Sequence, residues 1–307
     1  FASFQASLLG LNSILVENSN SLGGTCKQYK EKNIYDIPGF PVITGQQLID
    51  NLIKQLQKLN KNKILLEYKI ISYEKTGEHF IITTNKKSIK CKTIILAIGN
   101  GTSEPNKPMI KNINSYPNKI LYEVQNKKQF KDKTITILGG GDSAIDWILE
   151  LSHIAKKIFL IHRRDKFKAM ESSISKAQQQ PNIHFYLHNQ LDKIHDNFDK
   201  IDIKNNLTHQ ITSLKTDYLL CFLGSLSNIG NIKNWGLKLQ NDKIIVNNLT
   251  QETNKTNIYA IGDCCIYSGK LKLILTGFAE AATAIYHTYP KIKEKKLTFQ
   301  YSTNIIK

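Results

Sequence analysis

Residues 134–164 read TITILGGGDSAIDWILELSHIAKKIFLIHRR, and this stretch decides the fold. The apolar run 134–138 has the composition of a buried strand. Gly139-Gly140-Gly141-Asp142-Ser143-Ala144 follows and fits G-x-G-x-x-A, with Gly139, Gly141 and Ala144 at the diagnostic places. An amphipathic stretch carries Ile145, Ile148, Leu149 and Ile154. A second apolar run, 158–161, ends at His162-Arg163-Arg164. Strand, tight turn, helix and strand in that order make a dinucleotide-binding βαβ unit. The first glycine lets the chain turn at the strand end. The second lets backbone approach a pyrophosphate, and the small third position lets the helix pack on the strand. The open amides of the helix N-terminus, including those of Asp142 and Ser143, then face an anion. An acid at the end of the second strand would bind a ribose 2′-hydroxyl. Arg163 and Arg164 stand there instead, which favours a 2′-phosphate and hence NADP(H). The bland alternative is an ordinary glycine turn.

The chain has 307 residues, enough for two domains of ordinary size. Its 41% hydrophobic content supports a sizeable core. No apolar run reaches the length of about 18 residues that a membrane span needs, and no signal peptide is evident. Cys26, Cys91, Cys221, Cys264 and Cys265 form no C-x-x-C pair and have no metal-ligand spacing. The expectation is reduced thiols, no metal site and a cytoplasmic location. Net charge is +17, from 42 Lys and Arg against 25 Asp and Glu. Such a charge suits an acidic partner. The lysines are scattered through a chain rich in Lys, Asn and Ile, so a compositional bias explains the same number. No nucleic-acid-binding module is legible.

Residues 1–11 have apolar and small residues at helical spacing, and 14–16 read as a short buried strand closed by Glu17. That is the second half of another βαβ unit, with an acid suited to an unphosphorylated ribose. Its first strand and glycine loop are expected upstream of Phe1 and are missing from this chain. A loop, Gly23-Gly24-Thr25-Cys26, comes next. Thr44 is positioned to cap a helix bearing Leu48, Ile49, Leu52, Ile53 and Leu56. Residues 64–97 read as short strands. Pro105 and Pro108 mark a crossover, and Trp235-Gly236-Leu237 marks the return. NIYAIGD reads as a strand that delivers Asp263 at its end. Residues 277–287 read as a helix whose small residues (Ala279, Ala281, Ala282, Ala284) allow close approach to a ligand.

The segments GGTCKQYKEKNIYDIPGFP, GGGDSAIDW, FLIHRRDKFKA, NWGLKL and YAIGDCCIYSGKLKLILTGFAEAATA together resemble the two-dinucleotide flavoprotein reductases related to thioredoxin reductase. The resemblance is to the thioredoxin-reductase-like type of ferredoxin/flavodoxin–NADP(+) reductase, and it covers nearly the whole chain. It implies an α/β fold of two Rossmann-like domains, with an NADP domain inserted into an FAD domain. The expected boundaries are 1–104 and 228–307 for FAD and 105–227 for NADP(H). Residue by residue, Glu17 resembles the acid on the FAD adenosine ribose, and Thr25 stands where a flavin-contacting Gln is usual. Tyr29 resembles the aromatic stacked on one flavin face, and Ile70 the backbone contact to adenine. Asp263 resembles the aspartate at the ribityl–phosphate region. Tyr301 and Thr303 resemble an aromatic–Ser–Thr signature on the other flavin face. Arg163, Arg164 and Lys168 resemble the 2′-phosphate clamp.

The resemblance implies hydride transfer from NADPH to FAD, then single electrons to ferredoxin or flavodoxin, in a homodimer. Hydride transfer requires no protein acid or base, so no catalytic residue is assigned. A thioredoxin reductase needs a redox dithiol shortly before the strand–GGG element. The corresponding stretch, SYPNKILYEVQNKKQFKDK, has no cysteine. Two alternatives stay open on sequence alone. One is a flavin-less remnant that only binds NADP(H); the other is a thioredoxin-reductase-like enzyme with another acceptor.

Overall fold

The computed structural model describes residues 1–59, 62–298 and 302. The chain divides into two compact units, one of residues 1–102 and 227–307 and the other of residues 103–226.

The second unit is built on a five-stranded, all-parallel sheet. Its order is Ile120–Leu121, Tyr218–Phe222, Thr134–Gly139, Lys157–His162, Ile183–Leu187. A strand buried on both faces is largely apolar, which is why 158–161 shows no alternation; in 134–138 the buried Thr136 hydroxyl is satisfied by the Thr216 hydroxyl at 3.0 Å. Ile135, Ile137, Ile158 and Leu160 are fully buried. Helix α3 (Asp142–Ser152) buries Ala144, Ile145, Trp147, Ile148 and Leu151, and the short helix α4 is Glu171–Gln178. A three-stranded antiparallel sheet, Asn189–Ile194, Lys200–Asn205 and Ile211–Lys215, shares the core of Phe159, Ile161, Ile201 and Ile203. On it, Asp202 accepts from the Ser213 hydroxyl at 2.5 Å and lies 2.8 Å from His195 Nε2.

Among the described residues, the first unit contains two two-stranded parallel sheets, Ser13–Glu17 with Asn62–Leu66 and Ile94–Leu96 with Ile258–Ala260, and a parallel pairing of Lys243–Ile245 with Cys265–Ile266. It also holds an antiparallel sheet of Ile70–Thr76, His79–Thr84 and Ser88–Cys91. Its main core joins Phe80, Ile94, Leu96, Ile244, Ile258, Ala260 and Cys264. Helix α1 is Ala2–Leu8 and helix α2 is Gly45–Gln57. As expected, Thr44 caps α2. Its hydroxyl accepts from the Gln47 amide while the Gln47 side chain accepts from the Thr44 amide.

The strand at 14–16 is not buried: Ile14 is 44% exposed, because Ser13–Glu17 is paired along one edge only among the described residues. The terminal helix α5 is longer than residues 277–287, running Ile274–Lys293. Its buried small residues Ala281 and Ala284 pack on Tyr259 and Ile261, so they serve contact within the protein rather than approach by a ligand.

Candidate functional site

In the second unit the glycine turn is shaped by steric limits that differ at each glycine. Gly139 has φ +153°, and a Cβ there would lie 2.6 Å from the Phe222 carbonyl and 2.9 Å from Ala144 Cβ. Gly139 and Ala144 therefore close the strand–helix contact. Gly141 borders open space, and a Cβ at that position would meet nothing within 4 Å. Gly141 is the N-cap of α3 and supplies no side-chain cap. The first amides of a helix have no partner inside it, so those of Asp142 and Ser143 are available to an anion.

The loop after Lys157–His162 folds back over this turn. The Lys168 amide donates to the Gly140 carbonyl at 2.7 Å, and the Met170 amide donates to Asp142 Oδ1 at 3.2 Å. Arg163, Arg164 and Lys168 are exposed on that loop. The Asp142 carboxylate thus anchors the loop, which leaves its amide as its offering to a ligand. The sequence reading missed His162. Its ring lies over Gly140, where a Cβ would come within 2.2–2.6 Å of three ring atoms, and it stacks on Phe167 at 5.1 Å. Its place directly before the arginine pair was the available signal. Open glycine, uncapped helix start and three cations on a pinned loop form a donor set that fits a phosphorylated dinucleotide.

In the first unit, Glu17 closes the strand Ser13–Glu17. Its Oε1 accepts from the Ser19 amide at 2.8 Å and its carbonyl from the Tyr68 amide at 3.0 Å. The chain past Leu66 therefore folds over Glu17 before Ile70 opens the next strand. Gly24–Tyr29 is a 3-10 turn pressed against the start of α2; a Cβ on Gly45 would sit 2.4 Å from the Tyr29 carbonyl. Thr25 is exposed, and Tyr29 is half-buried with the Lys32 ammonium 5.5 Å from its ring centre.

Asp263 sits in the one-turn helix Gly262–Cys264, directly after the strand Ile258–Ala260. Its carboxylate is felt by two neighbours. Burial raises the Cys26 thiol and Asp263 raises it further. Burial lowers the Lys243 ammonium, with Asp263 opposing that change. Lys243 Nζ donates to Asn100 Oδ1 at 2.6 Å. The structure thus brings the 24–29 turn, Asp263, Lys243 and Asn100 into one neighbourhood. The N-terminus of α5 joins them, since a Cβ on Gly277 would lie 3.5 Å from Gly262 Cα. Leu273, the N-cap of α5, has no side-chain cap to offer. Carboxylate, ammonium, amide and open helix amides suit a ligand with diphosphate, polyol and aromatic parts, as FAD has. Lys243 and Asn100 were not legible beforehand, because scattered lysines and asparagines give no periodic signal. Tyr301 and Thr303 lie outside the described residues.

No helix among the described residues is long and apolar enough to cross a membrane. The family model "Pyridine nucleotide-disulphide oxidoreductase" matches residues 2–287. The ferredoxin–NADP reductase of Wolbachia pipientis subsp. Culex pipiens is 41% identical over 99% of this chain and 94% of that protein. The ferredoxin–NADP reductase of Rickettsia typhi is 42% identical over 99% of this chain and 93% of its own. Among solved structures, Lactococcus lactis thioredoxin reductase superposes with a TM-score of 0.82 at 22% identity, covering 96% of each chain. The T. acidophilum thioredoxin reductase gives 0.82 at 21%, covering 95% of this chain and 94% of that one. These two likenesses speak to the fold. The chain belongs to the pyridine nucleotide-disulphide oxidoreductase family, as an oxidoreductase of two-domain α/β architecture that uses FAD and NADP(H).

Proposed function

We propose that this chain is a ferredoxin–NADP reductase that passes electrons between NADP(H) and ferredoxin or flavodoxin. The observation that carries the reading is the turn at Gly139–Ala144 with Arg163, Arg164 and Lys168 clipped onto it, in a chain without a redox dithiol. Of the five cysteines, only Cys221 belongs to the second unit. It is 2% exposed, and burial pushes its thiol up to about 12. Cys264 and Cys265 are buried neighbours raised to about 11 and about 12, chiefly by burial. A thiol must ionise to attack a disulfide, so these groups are inert near neutral pH. The relatives at 41–42% identity bear the ferredoxin–NADP reductase name, which supports the same acceptor class here.

In this reading the second unit holds NADP(H). Gly139 and Ala144 set the turn, Gly141 admits the pyrophosphate, and the Asp142 and Ser143 amides bind it. Arg163, Arg164 and Lys168 grip the 2′-phosphate, which an acid would repel. The first unit holds FAD. Glu17 takes the adenosine ribose, Ile70 the adenine and Asp263 the ribityl–phosphate region. Thr25 and Tyr29, with Tyr301 and Thr303, orient and shield the ring. Bound FAD supplies the conversion between a two-electron hydride donor and a one-electron carrier. The protein's part is to bind, orient and exclude water, and no side chain need move a proton. Homodimer assembly and a cytoplasmic location belong to the same proposal. A net charge of +17 favours encounter with an acidic carrier.

The test is anaerobic NADPH oxidation by the FAD-loaded chain with three acceptors offered separately: ferredoxin, flavodoxin, and thioredoxin with a chromogenic disulfide. Reduction of ferredoxin or flavodoxin, with the disulfide untouched, is the expected result. Turnover with thioredoxin alone overturns the reading.

A further inference from the structure

The neighbourhood of Asp263 contains a carboxylate that no part of the proposed mechanism uses. Glu280 lies on α5 and is 3% exposed, yet it stands in the otherwise apolar sequence GFAEAATA. A buried charge is tolerated only when paired and hydrogen-bonded. Among the described residues, the partners of Glu280 all come from the nine residues 262–270. Oε2 accepts from the Gly262 amide at 2.6 Å. Oε1 accepts from the Tyr267 hydroxyl at 2.9 Å and from the Lys270 ammonium. Lys270 Nζ also donates to Cys265 Sγ at 3.3 Å, and that thiol donates to the Gly262 carbonyl at 3.4 Å.

These bonds close a ring around one carboxylate, and the ring encloses the turn that presents Asp263. The backbone geometry explains the need. Gly262 has φ +71°, a conformation without a side chain to hold it. Gly277, one helical turn before Glu280, lies beside Gly262, where a Cβ would make ordinary contact at 3.5 Å from Gly262 Cα. The pairing also shows in the ionisation of its members. Burial lowers the Lys270 ammonium, but the bond to Glu280 and the surrounding charges outweigh it and the net change is upward. Tyr267 is pushed up to about 12, first by burial and then by its bond to Glu280. A buried ion pair is a poor source of net stability compared with apolar packing, but its geometry is demanding. Its consequence here is positional: it fixes the turn 262–264 relative to the start of α5.

We propose that Glu280, with Lys270 and Tyr267, is a positioning residue of the flavin site: its two carboxylate oxygens clamp the Gly262–Cys264 turn to α5 and so set where Asp263 meets FAD. This rests on the assignment of FAD to the first unit. Glu280 touches no reacting atom and acts only through the turn.

The experiment uses the full chain, stripped of flavin and titrated with FAD while flavin fluorescence is followed. Thermal unfolding of the apo chain and NADP+ binding serve as controls. Glu280→Gln keeps the shape but replaces one acceptor oxygen by an amide NH2, which then faces groups that donate to the carboxylate. FAD binding should weaken by about tenfold or more, the change commanded by one lost charge-assisted hydrogen bond. NADP+ affinity should stay at the wild-type value. The near-UV and visible circular dichroism of the bound flavin should also change, which a merely structural role would not require. Tyr267→Phe removes a single donor and is the milder second variant; it should show the same spectral change with a weakening of about threefold. If Glu280→Gln does not fold, Tyr267→Phe decides. Wild-type FAD affinity and an unchanged flavin spectrum in the folded variants overturn the proposal. A wild-type chain that binds NADP+ but no FAD overturns instead the assignment on which it rests.

Discussion

Arg163 and Arg164 stand where a dinucleotide site usually decides between its two phosphorylation states. Each is exposed, and the loop that carries them is pinned to the glycine turn by the Lys168 and Met170 amides. Replacing both with Ala removes charge without touching that pinning, which is made by the Lys168 and Met170 amides on the Gly140 carbonyl and the Asp142 carboxylate. The KM for NADPH should rise by about tenfold or more while NADH turnover changes little, since only NADPH carries the 2′-phosphate. Steady-state kinetics with both nucleotides checks this; equal losses refute the 2′-phosphate role. A second residue-scale expectation concerns Asp202. Its bond from Ser213 holds its carboxyl below the usual value of 3.8; burial opposes this, and His195 and Lys200 add to the lowering. A carboxyl lowered on folding stabilises the folded state above its unfolded value, and that contribution is lost as pH falls through the lowered one. Asp202→Asn should therefore melt below wild type at pH 7, with the two melting temperatures converging below about pH 3.8.

At the scale of the element, the glycine turn separates packing from binding. Gly139 and Gly141 are equally small, but only Gly139 is confined by the protein. Gly139→Ala forces a methyl against the Phe222 carbonyl and should lower the melting temperature. Gly141→Ala meets nothing in the protein and should leave it unchanged, yet the methyl occupies the space through which a pyrophosphate approaches. A folded Gly141→Ala protein with full NADPH affinity would show that the pyrophosphate does not lie at this turn. Helix α2 offers the contrasting case of a local signal with a local cause. Thr44 and Gln47 make both bonds of a capping box, and Thr44→Ala should cost about 1 kcal/mol in urea unfolding.

At the scale of the molecule, each unit has its own core, around Phe80 and Ile258 in one and around Ile135 and Ile148 in the other. Two cores connected by two chain crossings need not melt together. Calorimetry should therefore resolve ligand-specific effects. NADP+ should raise the transition that Ile148→Ala lowers, and FAD should raise the other. Ile148→Ala lowering the FAD-sensitive transition would contradict the assignment of cofactors to units.

Residue types and spacing alone suffice for the βαβ unit at 134–164, the arginine pair in place of an acid, the lack of any C-x-x-C pair and the cap at Thr44. All are short-range: a strand, a turn or a cap is set by residues within a few positions of one another, so spacing and residue type suffice. Tertiary structure alone decided the rest. His162 lies over Gly140, Lys243 reaches Asn100, and Glu280 gathers Gly262, Tyr267 and Lys270, each pairing residues far apart or on different elements. Of the small residues of α5, Ala281 and Ala284 serve packing and Ala279 stays exposed, because helical spacing shows which residues share a face and not what that face meets. Burial and charge pairing are properties of the folded neighbourhood, and only there does an isolated glutamate in an alanine-rich helix acquire its partners.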